Sequence, residues 1–274
     1  MLRIFSLVLM LLSIVGLLIV LPLTFIQPKK QTTDQPDIEL HQKCLYPTIL
    51  VLDEQEDSGG SAFIVKSVKV GDEWHNIVIG AAHTSVNNYM IASVCKYKNW
   101  SEIEGYDKHS IFCYARNTKS DLAISFFVSD HQMPTVELNL SPDLFIGTPV
   151  FHIGYGLMYD ARLDYGQVTQ PKTAKPNHFK GMIRTNVFTY FGDSGGALFS
   201  TKDKKVVGVC KAIDSKGIIP IPQISYYTPI SLFKTWDDES NNAFESVYKE
   251  SAEMPVLPFM KLKLHEYSYE KLPD

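Results

Sequence analysis

Most of the chain consists of short runs of β-branched and aromatic residues separated by turn residues. From Leu45 to about Tyr227 these runs are PTILVL, GSAFIVKSV, HNIVIGAAH, LAISFFV, TPVFHIGYG, VVGVCKAI and ISYYTPI. Short strands at regular spacing, with few helical stretches between them, are typical of all-β sandwiches and barrels. We therefore predict an all-β fold, and a chain of 274 residues is too short for a large multidomain assembly.

Helical spacing of apolar residues occurs only towards the end of the sequence. Ile230, Phe233 and Trp236 are spaced like one face of a helix, and Phe244 and Val247 follow the same spacing further along. We predict helices over about 229–236 and 241–253 that pack as caps on the strands. Residues 237–274, the C-terminal helix and tail, are too few for another ordinary domain.

The first segment of the chain is predominantly apolar. The run from Ile4 to Ile26 contains no Asp, Glu, Lys, Arg, His, Asn or Gln, and about 20 apolar residues suffice to cross a bilayer. A cleaved signal peptide has a shorter apolar stretch and a small-residue cleavage site, whereas no alanine precedes Ala62 here. We therefore favour an uncleaved transmembrane signal anchor over residues 1–30, inserted in the lipid bilayer through residues 4–26, over a cleaved signal.

A polar linker is predicted between this anchor and the strands, over residues 31–44, because the stretch from Gln27 to Glu39 is polar, contains two prolines and has little to bury. Only three residues precede the apolar run, which favours an amino terminus inside the cell. We therefore predict a single-pass membrane protein whose folded domain is extracytoplasmic, in a periplasm, a lumen or the extracellular space.

Charge and cysteine content exclude two kinds of site. Three of the 26 Lys and Arg residues but none of the 30 Asp and Glu residues precede residue 31, so the rest of the chain is acidic. An acidic domain disfavours binding to a phosphate backbone, and no nucleic-acid partner is predicted. The cysteines form no C-x-x-C pair and the histidines show no ligand spacing, so no metal site is predicted.

One glycine-rich segment has the composition of a catalytic loop. It reads Gly192-Asp193-Ser194-Gly195-Gly196. A serine is a weak nucleophile at neutral pH and needs a base, a group that orients the base, and donors for the oxyanion that its attack creates. The flanking glycines allow a tight turn that points backbone N–H groups at a substrate carbonyl. We predict Ser194 as nucleophile and the N–H groups of Gly192 and Ser194 as the oxyanion hole.

A base and its orienting group are predicted from two other strand ends. His83 follows the strand-like run IVIGAA, whose small final residues leave room for a substrate, and Asp121 opens the apolar run LAISFFV. A carboxylate at that position can be buried against the imidazole and fix its tautomer. The catalytic residues are thus predicted to be His83, Asp121 and Ser194.

These residues, in this chain order, resemble those of the trypsin-like (chymotrypsin-fold) serine peptidases, and the compact protease domain of the HtrA/Deg type is the closer likeness. Gly60-Ser61-Ala62-Phe63-Ile64 and the stretch 208–213 also resemble segments of that branch. The resemblance implies two six-stranded Greek-key barrels over 45–236, about 45–138 and 139–236, and a serine endopeptidase that cleaves a polypeptide substrate without a cofactor.

The sequence also departs from that branch. The residues after 236 leave no room for the PDZ domain of that branch, so none is expected, and Asp193 stands where the branch has asparagine in G-N-S-G-G. In the digestive enzymes this aspartate pairs with an amino terminus released by cleavage, but this chain has no I-V-G-G start. Because a buried unpaired carboxylate is costly, we expect Asp193 to find an internal partner, either an arginine such as Arg162 or Arg184 or backbone N–H groups.

Specificity residues follow from the same resemblance. It places Phe188, six residues before the serine, at the base of the primary pocket and Lys211, Ala212 and Ile213 along one wall. No aspartate lies at the base of this pocket, so we expect substrates that place a small or medium apolar side chain in it. Cys210 is interpreted as a small packing residue, and the pairing of Cys95 with Cys113 is left open.

Two alternative functions are compatible with these patterns. One is a catalytically inactive descendant that keeps the barrels as a tethered binding module, although such a module has no chemical need for a complete triad and oxyanion loop. The other is a viral-type protease that matures a polyprotein on membranes.

Overall fold

A computed structural model of the protein describes residues 37–85, 87, 89–99, 102–174, 179–216 and 219–235. The predicted anchor over residues 4–26 and the predicted helix over 241–253 lie outside these residues. Within the described part of the chain, no helix combines the length and apolar character needed to cross a membrane.

The described residues form two closed antiparallel barrels of six strands each. The strand order is β1-β2-β3-β6-β5-β4 in the first barrel and β7-β8-β9-β12-β11-β10 in the second, so both have the same topology. This confirms the predicted pair of six-stranded barrels. The strands are β1 Thr48–Leu52, β2 Gly59–Val70, β3 Glu73–Gly80, β4 Tyr89–Asn99, β5 Glu102–Asn117, β6 Leu122–Ser129, β7 Pro149–Gly154, β8 Arg162–Gln170, β9 Ile183–Thr185, β10 Ala197–Ser200, β11 Val206–Lys216 and β12 Ile219–Pro229.

Closure depends on one strand pair in each barrel. In the first barrel β1 pairs with β4, with Leu50 opposite Ser93, and in the second β7 pairs with β10, with Ile153 opposite Ala197. Closure leaves no sheet edge open within the ring. The apolar strand residues that the sequence pattern identified can therefore face the barrel interiors or the contact between the barrels.

A shared apolar cluster joins the two barrels. It contains Phe63 and Ile79 from the first barrel and Phe151, Ile153 and Phe199 from the second. The rings of Phe151 and Phe199 stack with centroids 5.0 Å apart. Strand ends from both barrels therefore meet along one packed seam.

The folded part of the chain begins earlier than the expected end of the linker at residue 44. Ile38–Leu40 forms one α-helical turn that continues as a π-helical turn over His41–Leu45. Asp37 caps the first turn, because its Oδ1 accepts the N–H of Leu40 at 3.0 Å. Leu40 and Cys44 are buried in the shared cluster, so this segment packs on the barrels and is not a free tether.

At the other end of the described chain, the predicted helix over 229–236 is a short 3-10 helix, Ile230–Thr235. Ile230 and Phe233 are buried in the shared cluster. The apolar spacing in the sequence therefore identified a true packing face, although the helix is only six residues long.

All four cysteines, Cys44, Cys95, Cys113 and Cys210, are buried free thiols. The pairing of Cys95 with Cys113 that the sequence left open is absent. Burial raises the pKa of the Cys44 thiol to about 12. These thiols therefore act as small packing groups at neutral pH.

The docked N-terminal segment leads to a stability prediction. Leu40→Ala should lower the free energy of unfolding by about 2–4 kcal/mol, because it removes a buried side chain and leaves a cavity. Ile38, two residues earlier, is 45% exposed, so Ile38→Ala should change the free energy by about 0.5 kcal/mol or less. Chemical denaturation of both variants checks this, and equal losses would contradict the packing described for the segment.

Candidate active site

The three predicted catalytic residues lie at ends of strands along the seam. His83 is the central residue of a 3-10 turn, Ala82–Thr84, that follows β3. Asp121 directly precedes β6, and Ser194 lies in the loop between β9 and β10. The first barrel thus carries the predicted base and its orienting group, and the second carries the predicted nucleophile.

Asp121 holds His83 through both of its carboxylate oxygens. Oδ2 lies 2.8 Å from Nδ1 of the imidazole, and Oδ1 accepts the backbone N–H of His83 at 2.9 Å. Because a carboxylate only accepts, Nδ1 must carry the proton of the neutral ring and Nε2 is left as the basic nitrogen. The Asp121 side chain is 9% exposed, whereas that of His83 is 46% exposed, so the base is open to a substrate and its partner is not.

Asp121 occupies a backbone conformation that the surroundings enforce. Its φ is 60°, a left-handed value that few residues other than glycine, asparagine and aspartate adopt. The preceding residue is held on two sides, since Ser120 N–H donates to Asn117 Oδ1 at 3.0 Å and Thr228 Oγ1 donates to Ser120 O at 2.9 Å. Thr228 belongs to the second barrel, so the aspartate turn is fixed across the seam.

The serine loop is shaped by two glycines with positive φ. Gly192 has φ of 95° and Gly195 has φ of 88°. A Cβ on Gly195 would lie 2.0 Å from the carbonyl oxygen of Ser61, so a side chain at this position would collide with the first barrel. Only glycine permits both the turn and this close approach.

Ser61 of β2 joins the serine loop to the first barrel, and sequence reasoning did not assign it to the site. Its N–H donates to Ser194 O at 2.7 Å, and its hydroxyl donates to Gly192 O at 2.7 Å while accepting the N–H of Tyr155 at 2.8 Å. The available signal was a polar residue in the otherwise apolar run GSAFIV. Ser61 therefore fixes the position of the serine loop relative to the first barrel.

Gly60 brings the neighbours of the predicted base and nucleophile together. A Cβ at this glycine would lie 2.6 Å from Thr84 Cγ2 and 2.7 Å from Ser194 O. The residue after His83 and the backbone of Ser194 thus converge on the same point of β2. Within the described residues the Ser194 side chain makes no hydrogen bond to the His83 ring, a bond that is often long before substrate binds.

Two backbone N–H groups of the loop are available to a ligand. Asp193 N–H donates to Tyr190 O at 3.1 Å, and Gly195 N–H donates to Cys210 O at 2.8 Å. Among the residues that the structure describes, the N–H groups of Gly192 and Ser194 have no protein acceptor. Two unpaired N–H groups flanking one aspartate are the arrangement that an oxyanion hole requires.

Asp193 is fully buried and has internal partners, as expected. Arg162 Nη2 donates to its Oδ2 at 2.9 Å, and so does the N–H of Tyr190 at 2.7 Å. His152 Nε2 lies 3.5 Å from its Oδ1. Burial acts to raise the pKa of Asp193, but the contact with His152, the Tyr190 N–H and the Arg162 charge outweigh it, so the pKa lies below the ordinary value.

Two of the predicted pocket residues, Phe188 and Lys211, contact charged side chains. The Phe188 ring packs under the Arg162 guanidinium, 4.9 Å from its carbon, and is 36% exposed. Lys211 Nζ approaches Asp121 Oδ2 at 3.8 Å, and its side chain is 14% exposed. Lys211 therefore lies beside the predicted triad, a position that the sequence did not reveal.

Ala212 and Ile213 lie on β11 opposite Tyr226 and Ser225 of β12. Ser225 Oγ donates to Val187 O at 2.9 Å and lies 2.5 Å from Thr189 Oγ1. Both hydroxyl residues are fully buried. The segment that follows Phe188 is therefore tied to the strand behind the predicted wall.

Cys210 has the properties of a packing residue rather than a nucleophile. Burial, followed by the nearby carboxylates of Asp193 and Asp121, raises the pKa of its thiol well above the ordinary value. Among the described residues, no cluster of three or more His, Cys, Asp or Glu side chains could hold a metal ion.

Comparison with known proteins agrees with this geometry. A crystal structure of the serine endoprotease from Yersinia pestis superposes with a TM-score of 0.55 at 15% sequence identity, covering 72% of this chain. The chain spans 63% of the length of that protein, and at such low identity the likeness shows the fold. Among curated proteins the sequence finds no match. The family model of the trypsin-like peptidase domain matches residues 60–209, a range that includes His83, Asp121 and Ser194 and more than half of the chain, and the protein therefore belongs to the trypsin-like peptidase domain family.

Proposed function

We propose that the protein is a membrane-anchored serine endopeptidase that hydrolyses peptide bonds through an acyl-enzyme intermediate. The observation that carries this proposal is the pair of hydrogen bonds that the ring Nδ1 and the backbone N–H of His83 donate to Asp121. It leaves the second ring nitrogen basic and exposed at the seam where the Ser194 loop docks. Family membership supports a peptidase of this kind.

In the proposed reaction His83 Nε2 takes the proton from Ser194 Oγ as the oxygen attacks the scissile carbonyl. Asp121 stabilises the imidazolium that forms, and the free N–H groups of Gly192 and Ser194 bind the oxyanion. His83 then gives its proton to the leaving amine. Water repeats the sequence with the acyl-enzyme and releases the carboxylic acid, so no cofactor takes part.

The substrate is proposed to be a polypeptide with a small, uncharged side chain before the scissile bond. The predicted pocket lies between the segment after Phe188 and the wall of Lys211, Ala212 and Ile213. The buried contact between Thr189 and Ser225 would limit the depth of this pocket. The predicted base of the pocket holds no aspartate that would select Lys or Arg. A shallow pocket excludes long side chains by overlap.

Residues 4–26 are proposed to hold the protein in a bilayer with the peptidase domain on the extracytoplasmic side. Their uninterrupted apolar character supports this. The alternative of an inactive binding module is disfavoured. The two hydrogen bonds that His83 donates to Asp121, and the two unpaired N–H groups of the serine loop, suit catalysis and are not needed for binding alone.

The triad is tested by replacing its nucleophile and the residue that orients its base. Ser194→Ala should abolish covalent labelling by a fluorophosphonate probe and reduce peptide turnover on the order of 10⁶-fold, because triad members act as a unit. Asp121→Asn should keep the fold and lose about 10⁴-fold in turnover, since the amide favours the wrong tautomer of His83.

The measurements are probe labelling and kcat on a broad peptide library with the full-length chain. Circular dichroism establishes that both variants remain folded. If the unsubstituted protein neither labels nor cleaves any peptide at neutral pH, the inactive binding module becomes the better account.

Pocket depth is tested by Ser225→Gly. Removing this side chain should open space behind Ile213 and raise kcat/KM for peptides with a large apolar residue before the scissile bond about tenfold relative to alanine. Ser125→Gly, at a buried serine of β6, is the matched control and should leave the preference unchanged. An unaltered profile in Ser225→Gly would show that Ser225 does not limit the pocket.

Anchoring is tested by extraction of membranes with alkaline carbonate. The full-length chain should stay in the membrane fraction, whereas a chain that begins at residue 31 should be released. Mass spectrometry of the retained protein should find Met1 or the residue after it at the amino terminus. A shorter mature chain would establish the cleaved signal instead.

A further inference from the structure

His152 of β7 is a fully buried histidine with an acceptor at each ring nitrogen. Nδ1 lies 3.1 Å from the carbonyl oxygen of Ala197, and Nε2 lies 3.5 Å from Asp193 Oδ1. A carbonyl oxygen cannot donate, so Nδ1 must carry a proton. Asp193 is held ionised by its surroundings, so it cannot donate either.

A neutral imidazole has only one N–H group. If His152 were neutral, its Nε2 lone pair would face a carboxylate oxygen in a site without exposure to solvent, and both groups would lack a donor. Protonation of both nitrogens places an N–H group opposite each acceptor and makes the 3.5 Å contact between Nε2 and Asp193 Oδ1 an ion pair. The two contacts therefore identify His152 as an imidazolium.

The count of nearby charges leads to the same assignment. Arg162 serves two carboxylates, with Nε 2.7 Å from Asp164 Oδ2 and Nη2 2.9 Å from Asp193 Oδ2. Asp164 lies opposite His152 in the β7–β8 register. A charged His152 adds a cation beside the fully buried Asp193, whose other cationic partner, Arg162, is shared with Asp164, and an unpaired buried carboxylate is costly.

The other groups that face His152 carry no charge at neutral pH. The Tyr227 ring of β12 lies 5.7 Å from the His152 ring, and burial raises the pKa of its hydroxyl well above the ordinary value. Cys210 of β11 is likewise kept as a neutral thiol by burial. The balance around His152 therefore involves Arg162, Asp164 and Asp193 alone among the described residues.

Two glycines beside the contact between His152 and Asp193 leave no room for a side chain of their own. A Cβ on Gly154 would lie 2.6 Å from His152 Nε2 and 2.7 Å from Asp193 Oδ1, and a Cβ on Gly196 would lie 2.7 Å from His152 Cε1. Side chains at these glycines would separate the ring from the carboxylate. The histidine and the aspartate are thus enclosed between the end of β7 and the residue that precedes β10, where the serine loop ends.

We propose that His152 is a positioning residue for the oxyanion hole, acting as a buried imidazolium that holds the Asp193 carboxylate beneath the loop so that the N–H groups of Gly192 and Ser194 point outward. This rests on the proposed peptidase function. His152 thereby supplies, from within the chain, the positive charge that a new amino terminus supplies to the corresponding aspartate in the digestive enzymes.

Kinetics of the full-length chain test the role in catalysis. His152→Leu removes the cation and should lower kcat about 100-fold, the cost of losing an oxyanion donor, with KM changed less than about threefold. The double variant His152→Leu with Asp193→Asn restores the G-N-S-G-G loop of the related branch and needs no cation, so it should regain at least tenfold in kcat over His152→Leu.

The matched control is His75→Leu, at a fully buried histidine of the first barrel. It should lower the thermal midpoint and leave kcat within about twofold. Unchanged kcat in His152→Leu would overturn the proposal. Failure of Asp193→Asn to rescue would overturn it as well, because the loss would then come from packing alone.

The charge state is tested without turnover, so that this inference and the peptidase function can fail separately. In full-length protein labelled with ¹⁵N-histidine, the His152 ring is assigned through its contacts to Tyr227. Both nitrogens should carry protons and show imidazolium shifts at neutral pH. A single proton on Nδ1 would overturn the proposal even if the protein is an active peptidase and even if the His152→Leu variant does not fold.

Discussion

The docking of the serine loop on Ser61 is the contact on which the candidate site depends. The first barrel holds His83 and Asp121, and the second holds Ser194, so neither barrel contains a complete site. Ser61 donates from its backbone to Ser194 O and from its hydroxyl to Gly192 O, and Gly195 allows the two chains to approach. The apolar seam around Phe63 and Phe151 supplies the burial that keeps the barrels together, and the hydrogen bonds of Ser61 select one register within it.

A second constraint lies beneath the loop. Asp193 is fully buried, and a carboxylate at such a place is tolerated only with partners. Arg162, His152 and the N–H of Tyr190 surround it, and each comes from a different element. The same contacts pull the aspartate inward, which leaves the neighbouring N–H groups of Gly192 and Ser194 free to bind an oxyanion. Stability of the loop and the proposed catalysis therefore depend on the same buried charge.

Sequence reasoning predicted the features that local pattern encodes. Strand runs and the cap at Ile230 follow from periodicity, the two barrels from the resemblance to a known family, and the need of Asp193 for an internal partner from the cost of burying a charge. It did not identify Ser61 as part of the site, nor the contact of Lys211 with Asp121. It also assigned residues up to 44 to a linker, although Leu40 and Cys44 are buried. These contacts join residues distant in the chain, and a helical segment of eight residues is too short to show its packing face by spacing.

The sequence alone determined the chemistry that is available: a serine between glycines, a histidine after an apolar strand, an aspartate before another, and an apolar stretch long enough to cross a bilayer. Only the tertiary structure decided which partner each polar group takes. Arg162 rather than Arg184 pairs with Asp193, and His152 faces it from the other side. The physical reason is that side-chain pairing inside a barrel is set by register and by space, such as that left by Gly154, and these depend on how two closed sheets meet rather than on the order of residues along either one.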